Sequence, residues 1–429
     1  MFKLTYINFY VNLTLHIYKK DVFLNLQQLF EDQEKLLSKV SLNKKRYLYN
    51  KINWDLKSIG ILGQRGLGKT TMMLQYIKEN FENSKKALYV SLDTPYMQSI
   101  LLIELAKEFE QNGGEILFID EVHKYDDWAT HIKNIYDSLD IKVVFSGSSI
   151  LQISKQNADL SRRTIIYYLE NLSFREYLEL TDVAKFEPYT LDDLLSKHET
   201  VASDISMQIK PLMHFKEYLI YGAYPFVLDD KDSYHQRIIQ MINTILETDL
   251  PYINKIEIAQ ITKLKKLLYM LAVNVPFVPN ITDLSNATNI SRPKVYEYLE
   301  HLESAKIINS IVSQEKGYKI MAKPEKLFMQ NTNISYALTS NINKGSARES
   351  FFVNQIKNSS EPYLKLYDDT IFSSKSGDFF VKSKYTFEIG GKNKSFNQIK
   401  NIEDSYIAVD DIEIGYGNKI PLWLFGFLY

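Results

Sequence analysis

The sequence predicts an α/β fold built on a parallel sheet, and three short apolar stretches carry this prediction. Residues 58–62 form the first stretch, and a glycine-containing turn follows it. The residues after the turn place Met73, Leu74 and Ile77 on one helical face, so that a strand, a loop and a helix follow one another. Residues 115–119 and 141–145 also have the length and composition of buried strands. Strands that alternate with helices are typical of a parallel sheet covered on both faces.

The turn after the first strand fits the pattern G-x-x-x-x-G-K-[ST] over residues 63–70. Glycines let consecutive backbone N–H groups point inward, and the N-terminus of the next helix adds the positive end of its dipole. A chance glycine-rich turn is the alternative, and the flanking strand and helix argue against it. The sequence therefore predicts that ATP binds to Gly63, Gln64, Arg65, Gly66, Leu67, Gly68, Lys69, Thr70 and Thr71.

A second acidic element should accompany this loop, because a nucleotide-bound Mg²⁺ needs a carboxylate and hydrolysis needs a group that orients water. The second apolar stretch ends in Asp120 and Glu121. We expect Lys69 to contact the β- and γ-phosphates, Thr70 and Asp120 to hold Mg²⁺, and Glu121 to polarise the attacking water. Alone, such a pair would be an ordinary strand end, but its distance from the phosphate loop suits the metal site.

The third apolar stretch ends in small polar residues. A hydroxyl of Ser146 or Ser148 is expected to lie beside the γ-phosphate as a sensor, and we place Ser148 in the catalytic set. Farther along, Arg162 and Arg163 offer guanidinium groups that can stabilise charge on a transferring phosphoryl group. For either arginine alone, a solvated basic turn is an equally good interpretation.

These segments resemble the prokaryotic AAA-family ATPases in which the nucleotide module is followed by a long domain of unknown function. The matching segments are residues 63–70, 120–124 with Trp128, 146–149, 172–177, 221–225 and 347–351. The resemblance runs from residue 50 to the end and is strongest in the nucleotide module. It implies phosphate binding at Lys69 and Thr70, metal support at Asp120, catalysis at Glu121, and an arginine finger at Arg162 or Arg163.

Composition excludes several classes of function. The 51 basic and 52 acidic residues give a net charge of −1, so that nucleic-acid binding would need a local basic patch. The absence of cysteine excludes disulfides, thiol catalysis and thiolate metal sites, and it fits a cytoplasmic location. No apolar run reaches the roughly 18 residues of a membrane span. Residues 1–18 alternate between apolar and polar, which suggests a strand or an extension upstream of the true start.

The segments divide the 429 residues into five predicted parts. Residues 171–255 show mostly helical patterns, and a lid over the nucleotide is their expected role. The parts are an N-terminal extension (1–45), the ATPase core (46–170), the helical lid (171–255), a winged helix-turn-helix (256–328) and a restriction-endonuclease-like α/β domain (329–429).

The winged-helix prediction rests on two short helices and a hairpin. Residues 282–288 form the first helix, and Ser291 caps a second one that places Val295, Leu299 and Leu302 inward. Two strands are expected around the turn at 315–317. Arg292 and Lys294 at the start of the second helix favour DNA, whereas the carboxylates of Glu297, Glu300 and Glu303 face what would be a polyanion. A protein partner or a structural role is therefore favoured over DNA.

The C-terminal part carries an acidic set that resembles a restriction-endonuclease-like core: Glu349, Asp378 and Glu388. Such a core holds Mg²⁺ between two carboxylates and places a lysine two residues after the second one. Gly390 stands at that position here, and Lys392 could substitute only if the double glycine bends the strand. An inherited scaffold, or an ordinary mixed sheet with exposed acids, is favoured over an active nuclease.

Three functions remain open at this point, and the third of them is the metal-dependent nuclease activity of the C-terminal part. The first is an ATPase that couples ATP hydrolysis to a conformational change, acting on nucleic acid. The second is a nucleotide-gated switch or scaffold that binds a protein partner and turns over little ATP. An oligomer is required only if the arginine finger comes from a neighbouring subunit.

Overall fold

The structure is a computed structural model that describes residues 24–148, 160–251, 256–273, 278–313, 324–359 and 370–429. The chain divides into two compact units. The first comprises residues 1–63 and 68–168, and the second comprises residues 64–67 and 169–429. The extension predicted for residues 1–18 lies outside the described residues. The five predicted domain boundaries stay predictions.

The first unit is built on a five-stranded parallel sheet, as the sequence predicts. Strands β1 and β3 are buried along their whole length, as expected for strands covered on both faces. The spatial order is β2-β3-β4-β1-β5. The strands are β1 (Ser58–Leu62), β2 (Ala87–Ser91), β3 (Ile116–Asp120), β4 (Lys142–Gly147) and β5 (Ile165–Tyr168).

The register of the strands places the predicted site residues at one edge of this sheet. Leu62, the last residue of β1, pairs with Gly147 of β4, and Ser91 of β2 pairs with Asp120 of β3. Because all strands are parallel, the turns that follow β1, β3 and β4 begin at the same side of the sheet. The predicted phosphate loop and the acidic pair are therefore neighbours.

Five α-helices accompany the sheet in the described part of this unit. The helix after the phosphate loop begins at Lys69 and buries Met73, Leu74 and Ile77, the face that the sequence predicts. The helices are α1 (Leu26–Leu37), α2 (Lys69–Phe81), α3 (Pro95–Ser99), α4 (Leu102–Gln111) and α5 (Trp128–Ser138).

The second unit begins with helices, and the predicted helical character of residues 171–255 is confirmed for its described residues. A π-helical turn, Ile245–Asp249, continues the fourth of these helices. Their role as a lid stays a prediction. The helices are α6 (Phe174–Leu180), α7 (Leu191–Ser206), α8 (Pro211–Tyr221) and α9 (Tyr234–Thr244).

The next segment has two short helices where the sequence predicts them. Ser291 stands at the N-cap position of the second helix but makes no side-chain capping bond, whereas Asn280 caps the first helix with its side chain. Val295, Leu299 and Leu302 are buried as predicted. The predicted turn at 315–317 lies outside the described residues. The elements are α10 (Ile258–Val273), α11 (Ile281–Thr288), α12 (Arg292–Ser304) and the antiparallel pair β6 (Ile308–Ile311) and β7 (Lys326–Met329).

The C-terminal part contains a second five-stranded sheet, in the order β12-β11-β10-β9-β8. The pairs β10–β11 and β11–β12 are parallel, whereas the pairs β8–β9 and β9–β10 are antiparallel. Two helices precede the sheet, and a buried 3₁₀ turn, Leu422–Phe427, follows it. The elements are α13 (Thr332–Leu338), α14 (Lys344–Asn358), β8 (Ile371–Ser373), β9 (Phe379–Val381), β10 (Tyr385–Gly390), β11 (Ser405–Val409) and β12 (Lys419–Pro421).

Among the residues that the structure describes, no helix has the length and apolar character needed to span a bilayer.

A buried arginine ties the start of the second unit to its last residue. Arg175 is 6% exposed, and its Nε donates to the Tyr429 carbonyl at 2.9 Å while Nη1 donates to the Phe186 carbonyl at 3.1 Å. The Ser173 hydroxyl donates to the same Tyr429 oxygen at 2.7 Å. Loss of the guanidinium would leave the Phe186 carbonyl without this donor and the Tyr429 carbonyl with the Ser173 hydroxyl alone.

We therefore expect Arg175→Ala to lower the free energy of unfolding by about 3 kcal/mol, since a buried charged donor is removed from its partners. Chemical denaturation of the whole chain measures this change. Lys185→Ala is the matched control, because Lys185 pairs with Glu179, which Arg175 also contacts, but is 72% exposed. Equal losses in the two variants would contradict the role given to Arg175.

Candidate functional site

The loop between β1 and α2 has a backbone that depends on glycine. Gly66 and Gly68 have φ angles of 80° and 90°, in the left-handed region. Gly68 occupies the N-cap position of α2, and Lys69 is the first helical residue. Residues with a Cβ adopt such angles only with strain, so that the two glycines allow the loop to turn into the helix. The loop has the form that the phosphate-binding pattern predicts.

Lys69 lies inside this loop. The side chain is 6% exposed, and Nζ donates to the Gly63 carbonyl at 2.9 Å. The hydrogen bond of this ammonium group becomes stronger when a phosphate oxygen replaces the carbonyl as its acceptor. A hydrogen bond between two charged groups is stronger than one to a neutral acceptor. The Lys69 ammonium group, the backbone N–H groups of the loop and the start of α2 therefore all favour an anion in the loop.

Asp120 is the centre of a hydroxyl network at the end of β3. The residue is 2% exposed, yet its carboxylate is fully engaged. Thr70 Oγ1 donates to Oδ2 at 2.5 Å, the Tyr89 hydroxyl donates to the same oxygen at 2.8 Å, and the Ser146 hydroxyl donates to Oδ1. Burial of a carboxylate is costly unless such donors compensate it. Carboxylate and hydroxyl oxygens are also the ligands that Mg²⁺ prefers, so that Thr70 and Asp120 fit the metal predicted for them.

Tyr89 and Arg46 belong to this region, although sequence reasoning does not find them. Burial and then the adjacent negative charge of Asp120 raise the pKa of Tyr89 well above its ordinary value, which keeps its hydroxyl protonated as a donor. Arg46 is 6% exposed, and its Cγ would lie 3.9 Å from a Cβ added at Gly68. No motif marks either position. Tyr89 is found only through the pairing of β2 with β3.

Glu121 follows Asp120 in a backbone conformation that is unusual for a residue with a side chain. Its φ and ψ are 57° and 43°. The backbone N–H of Glu121 lies 3.1 Å from Asp120 Oδ1 and 3.3 Å from Ser146 Oγ, its two acceptors. The side chain is 21% exposed, and Oε2 lies 3.3 Å from Nε2 of the buried His123. The predicted catalytic carboxylate therefore leaves the sheet at a fixed angle, next to the residues that are predicted to hold the metal.

Of the two serines considered as sensors, Ser146 contacts the acidic pair. Its hydroxyl lies between Asp120 and the backbone of Glu121. Ser148, the serine of the predicted catalytic set, is 9% exposed, and its role stays a prediction.

The two arginines differ in their surroundings. Arg163 donates from Nε and Nη2 to the two carboxylate oxygens of Asp137 on α5, each at 2.8 Å. This two-point ion pair favours a structural role for Arg163. Arg162 is exposed, so that its guanidinium is accessible to a phosphate from the same or another subunit.

The apex of the phosphate loop, residues 64–67, is grouped with the second unit. Gln64 is 2% exposed, and its Oε1 accepts from the buried Tyr224 hydroxyl at 2.9 Å, while its Nε2 donates to the Lys306 carbonyl at 3.0 Å. Burial raises the pKa of Tyr224 to about 12, so that the hydroxyl remains a donor at neutral pH. The side chain of Gln64 is therefore committed to protein partners, and only its backbone is left for a phosphate.

The next two apex residues are also held. Arg65 Nη1 lies 3.8 Å from a carboxylate oxygen of the buried Asp249, and a Cβ added at Gly66 would lie 3.2 Å from the Phe226 ring. Tyr224 and Phe226 flank Pro225 in the chain. Changes in the apex backbone would therefore move contacts within the second unit.

The acidic set of the C-terminal sheet comes together as predicted, but lysines accompany it. Lys326 Nζ lies 3.2 Å from Glu349 Oε2 and 3.7 Å from Asp378 Oδ1, and Lys394 pairs with the buried Glu388. Burial, followed by the nearby charges of Asp378 and Glu388, raises the pKa of Glu349 against the opposing effect of Lys326.

Lys394, rather than Lys392, reaches the carboxylate of Glu388. The Lys394 N–H donates to the Gly391 carbonyl at 2.9 Å, so that the chain turns back directly after β10. Among the described residues, no group of three acidic or histidine side chains is arranged to hold a metal ion. Both the scaffold interpretation of this sheet and nuclease activity stay predictions.

Comparisons with known proteins agree with this geometry over the first unit. Residues 55–178 match a family model described as an AAA domain, and residues 212–345 match a domain of unknown function (DUF8612). The chain is 31% identical to an uncharacterized protein of Methanocaldococcus jannaschii, MJ1637, over 261 residues. That match covers 55% of this chain and 54% of the relative, so the chain spans about half the length of the curated relative it matches.

Among solved structures, the chain is similar to the ADP complex of Hsp104 from S. cerevisiae. That likeness has 17% identity and a TM-score of 0.31, and it covers 64% of this chain and 41% of the other. A second likeness, to AMPPCP-bound DnaA from Aquifex aeolicus, has 13% identity and a TM-score of 0.24 and covers 67% and 91%. TM-scores of this size give the likenesses no weight in the functional argument.

Tyr89→Phe removes one of the three hydroxyl donors to Asp120 and keeps the ring. We expect the Mg²⁺ concentration for half-maximal binding of a fluorescent ATP analogue to rise on the order of 10-fold, because partners of a ligating carboxylate tune metal affinity. Titration of Mg²⁺ at fixed analogue concentration measures the change. Tyr136→Phe on α5 is the control, and an unchanged Mg²⁺ dependence in Tyr89→Phe would contradict the role given to Tyr89.

Proposed function

We propose that this chain binds Mg²⁺ and ATP at the loop between β1 and α2 and hydrolyses the ATP. The observation that carries the proposal is the buried carboxylate of Asp120, which accepts hydroxyl bonds from Thr70, Tyr89 and Ser146 beside the loop. The match of residues 55–178 to an AAA domain supports the same conclusion. Backbone N–H groups of the loop and the start of α2 would bind the phosphates.

Each nearby side chain has a distinct part in the proposed reaction. Lys69 gives up the Gly63 carbonyl for the β- and γ-phosphate oxygens, and Thr70 with Asp120 holds Mg²⁺. The metal, when bound, neutralises charge on the phosphates during the transfer. Glu121 orients a water molecule and accepts its proton, since its carboxylate is part-exposed next to Asp120. Ser148 and Arg162 remain the proposed sensor and finger.

We further propose that the nucleotide state is coupled to a conformational change through the loop apex. The contacts of Gln64 with Tyr224 and Lys306, and of Arg65 with Asp249, support this step. The apex lies directly between Gly63 and Gly68 in the chain, so that phosphates bound to the loop backbone would bias the same contacts. Nucleic acid is the partner class proposed for this change.

The alternative is a nucleotide-gated switch that binds a protein partner and hydrolyses little ATP. One observation favours it: the exposed start of α12 carries Arg292 and Lys294, but Lys294 is paired with Glu297 at 2.8 Å. A cation that is already neutralised contributes less to binding a phosphate backbone. We propose a cytoplasmic location for either function.

ATPase kinetics of the wild type, Lys69→Ala and Glu121→Gln, with and without single- and double-stranded DNA, test these functions. We expect Lys69→Ala to lose nucleotide binding, because the charge that meets the phosphates is gone. Glu121→Gln should bind the nucleotide and lose turnover by about 100-fold or more, because the amide cannot accept the proton of water.

DNA separates the two functions. Turnover stimulated by DNA supports an ATPase that acts on nucleic acid, whereas tight binding with slow, DNA-independent turnover supports the switch. Turnover at the wild-type rate in both Lys69→Ala and Glu121→Gln would contradict hydrolysis at this site.

We expect Arg162→Ala to affect the catalytic rate and Arg163→Ala to affect the stability of the fold. We expect Arg162→Ala to lower kcat on the order of 1000-fold if the guanidinium stabilises the transferring phosphoryl group. Arg163→Ala should instead lower the melting temperature, as should Asp137→Ala, because either change breaks the same ion pair. Paired ATPase and melting measurements decide the matter, and a kcat loss confined to Arg163→Ala would reverse the assignment. If the turnover per protein molecule rises with protein concentration, the finger comes from a neighbouring subunit.

A further inference from the structure

A buried histidine stands beside the carboxylate that is proposed to activate water. His123 is 3% exposed and belongs to the 3₁₀ turn Val122–Lys124, which begins directly after Glu121. Its Nε2 lies 3.3 Å from Glu121 Oε2. A solvent-shielded imidazole at this distance from a carboxylate is an arrangement in which each group restricts the orientation of the other.

The backbone cannot fix the carboxylate of Glu121 by itself. The N–H of Glu121 is held by Asp120 and Ser146, which sets where the side chain leaves the sheet. Beyond Cβ, the side chain of a glutamate still has rotamers of similar energy. A second contact near the carboxylate is required if one oxygen is to point at a water molecule reproducibly. Nε2 of His123 lies 3.3 Å from Oε2, close enough to make such a contact.

We propose that His123 is a positioning residue for ATP hydrolysis and holds the Glu121 carboxylate in the orientation that activates water. This inference rests on the proposed hydrolysis at Glu121. The imidazole touches neither nucleotide nor water in this role, and it acts through Oε2 alone. A misplaced general base slows the chemical step but leaves nucleotide affinity unchanged, because phosphate binding depends on Lys69 and the loop backbone.

Four variants test the inference in the full-length protein: His123→Ala, His123→Gln, Glu121→Gln, and the double variant Glu121→Gln/His123→Ala. We expect His123→Ala to lower kcat on the order of 10- to 100-fold with an unchanged dissociation constant for a fluorescent ATP analogue. His123→Gln places an amide Nε2 near the position of the imidazole Nε2 and should keep most of the activity. Added imidazole should restore part of the activity of His123→Ala only.

The double variant separates positioning from general stability. If His123 acts through Glu121, removing it costs nothing further once Glu121→Gln has abolished catalysis, and the two losses are not additive. His131→Ala, on the neighbouring helix α5, is the matched control and should keep wild-type kcat. Melting temperatures and analogue binding show that each variant is folded.

Several results would overturn the inference. Full activity in His123→Ala, with loss in Glu121→Gln, overturns it and leaves the proposed function intact. Losses that add in the double variant also overturn it. So does an activity loss in His123→Ala that is explained by weaker binding of the analogue and is relieved neither by added imidazole nor by glutamine at this position. Turnover at the wild-type rate in Glu121→Gln overturns the proposed catalytic site, and this inference with it.

Discussion

The constraint on which the rest of the site depends is the burial of a charged carboxylate at the end of β3. Asp120 is almost fully shielded from water, and an unpaired charge in that position would cost several kcal/mol. Hydroxyl donors from three different elements remove the penalty: Tyr89 from β2, Ser146 from β4 and Thr70 from α2. The same network fixes the start of the helix that carries Lys69. Sheet order, loop conformation and the position of the carboxylate are therefore one linked arrangement.

The proposed division of labour follows from this arrangement. Asp120 faces inward to its donors, whereas Glu121, one residue later, is turned by its left-handed backbone so that its side chain is part-exposed. Adjacent carboxylates thereby have different surroundings, which suits one to a metal and the other to water. The loop apex adds a separate property, because Gln64, Arg65 and Gly66 are grouped with the second unit and have these contacts within it. Nucleotide binding and the proposed conformational coupling would thus use different atoms of one short loop.

The sequence predicts the parts of the site that are local in the chain. The phosphate loop, the acidic pair and the strands that carry them are short-range patterns, and the structure has them where they are predicted. Tyr89 and Arg46 escape prediction, because only strand pairing and packing give them their neighbours. His123 lies in a matching segment, two residues after Glu121, but the sequence pattern assigns no role to its side chain. In the C-terminal sheet, even spacing favours Lys392, but the turn after the double glycine brings Lys394 to Glu388. Strand periodicity stops being informative where the strand ends.

The most direct test of the central claim is a crystal structure of the chain with Mg²⁺ and a non-hydrolysable ATP analogue. We expect that Lys69 Nζ leaves the Gly63 carbonyl for the phosphates and that the metal lies at Thr70, with Asp120 beside it. A structure at saturating analogue in which Lys69 keeps its bond to Gly63, Thr70 still donates to Asp120, and no phosphate occupies the loop would contradict it.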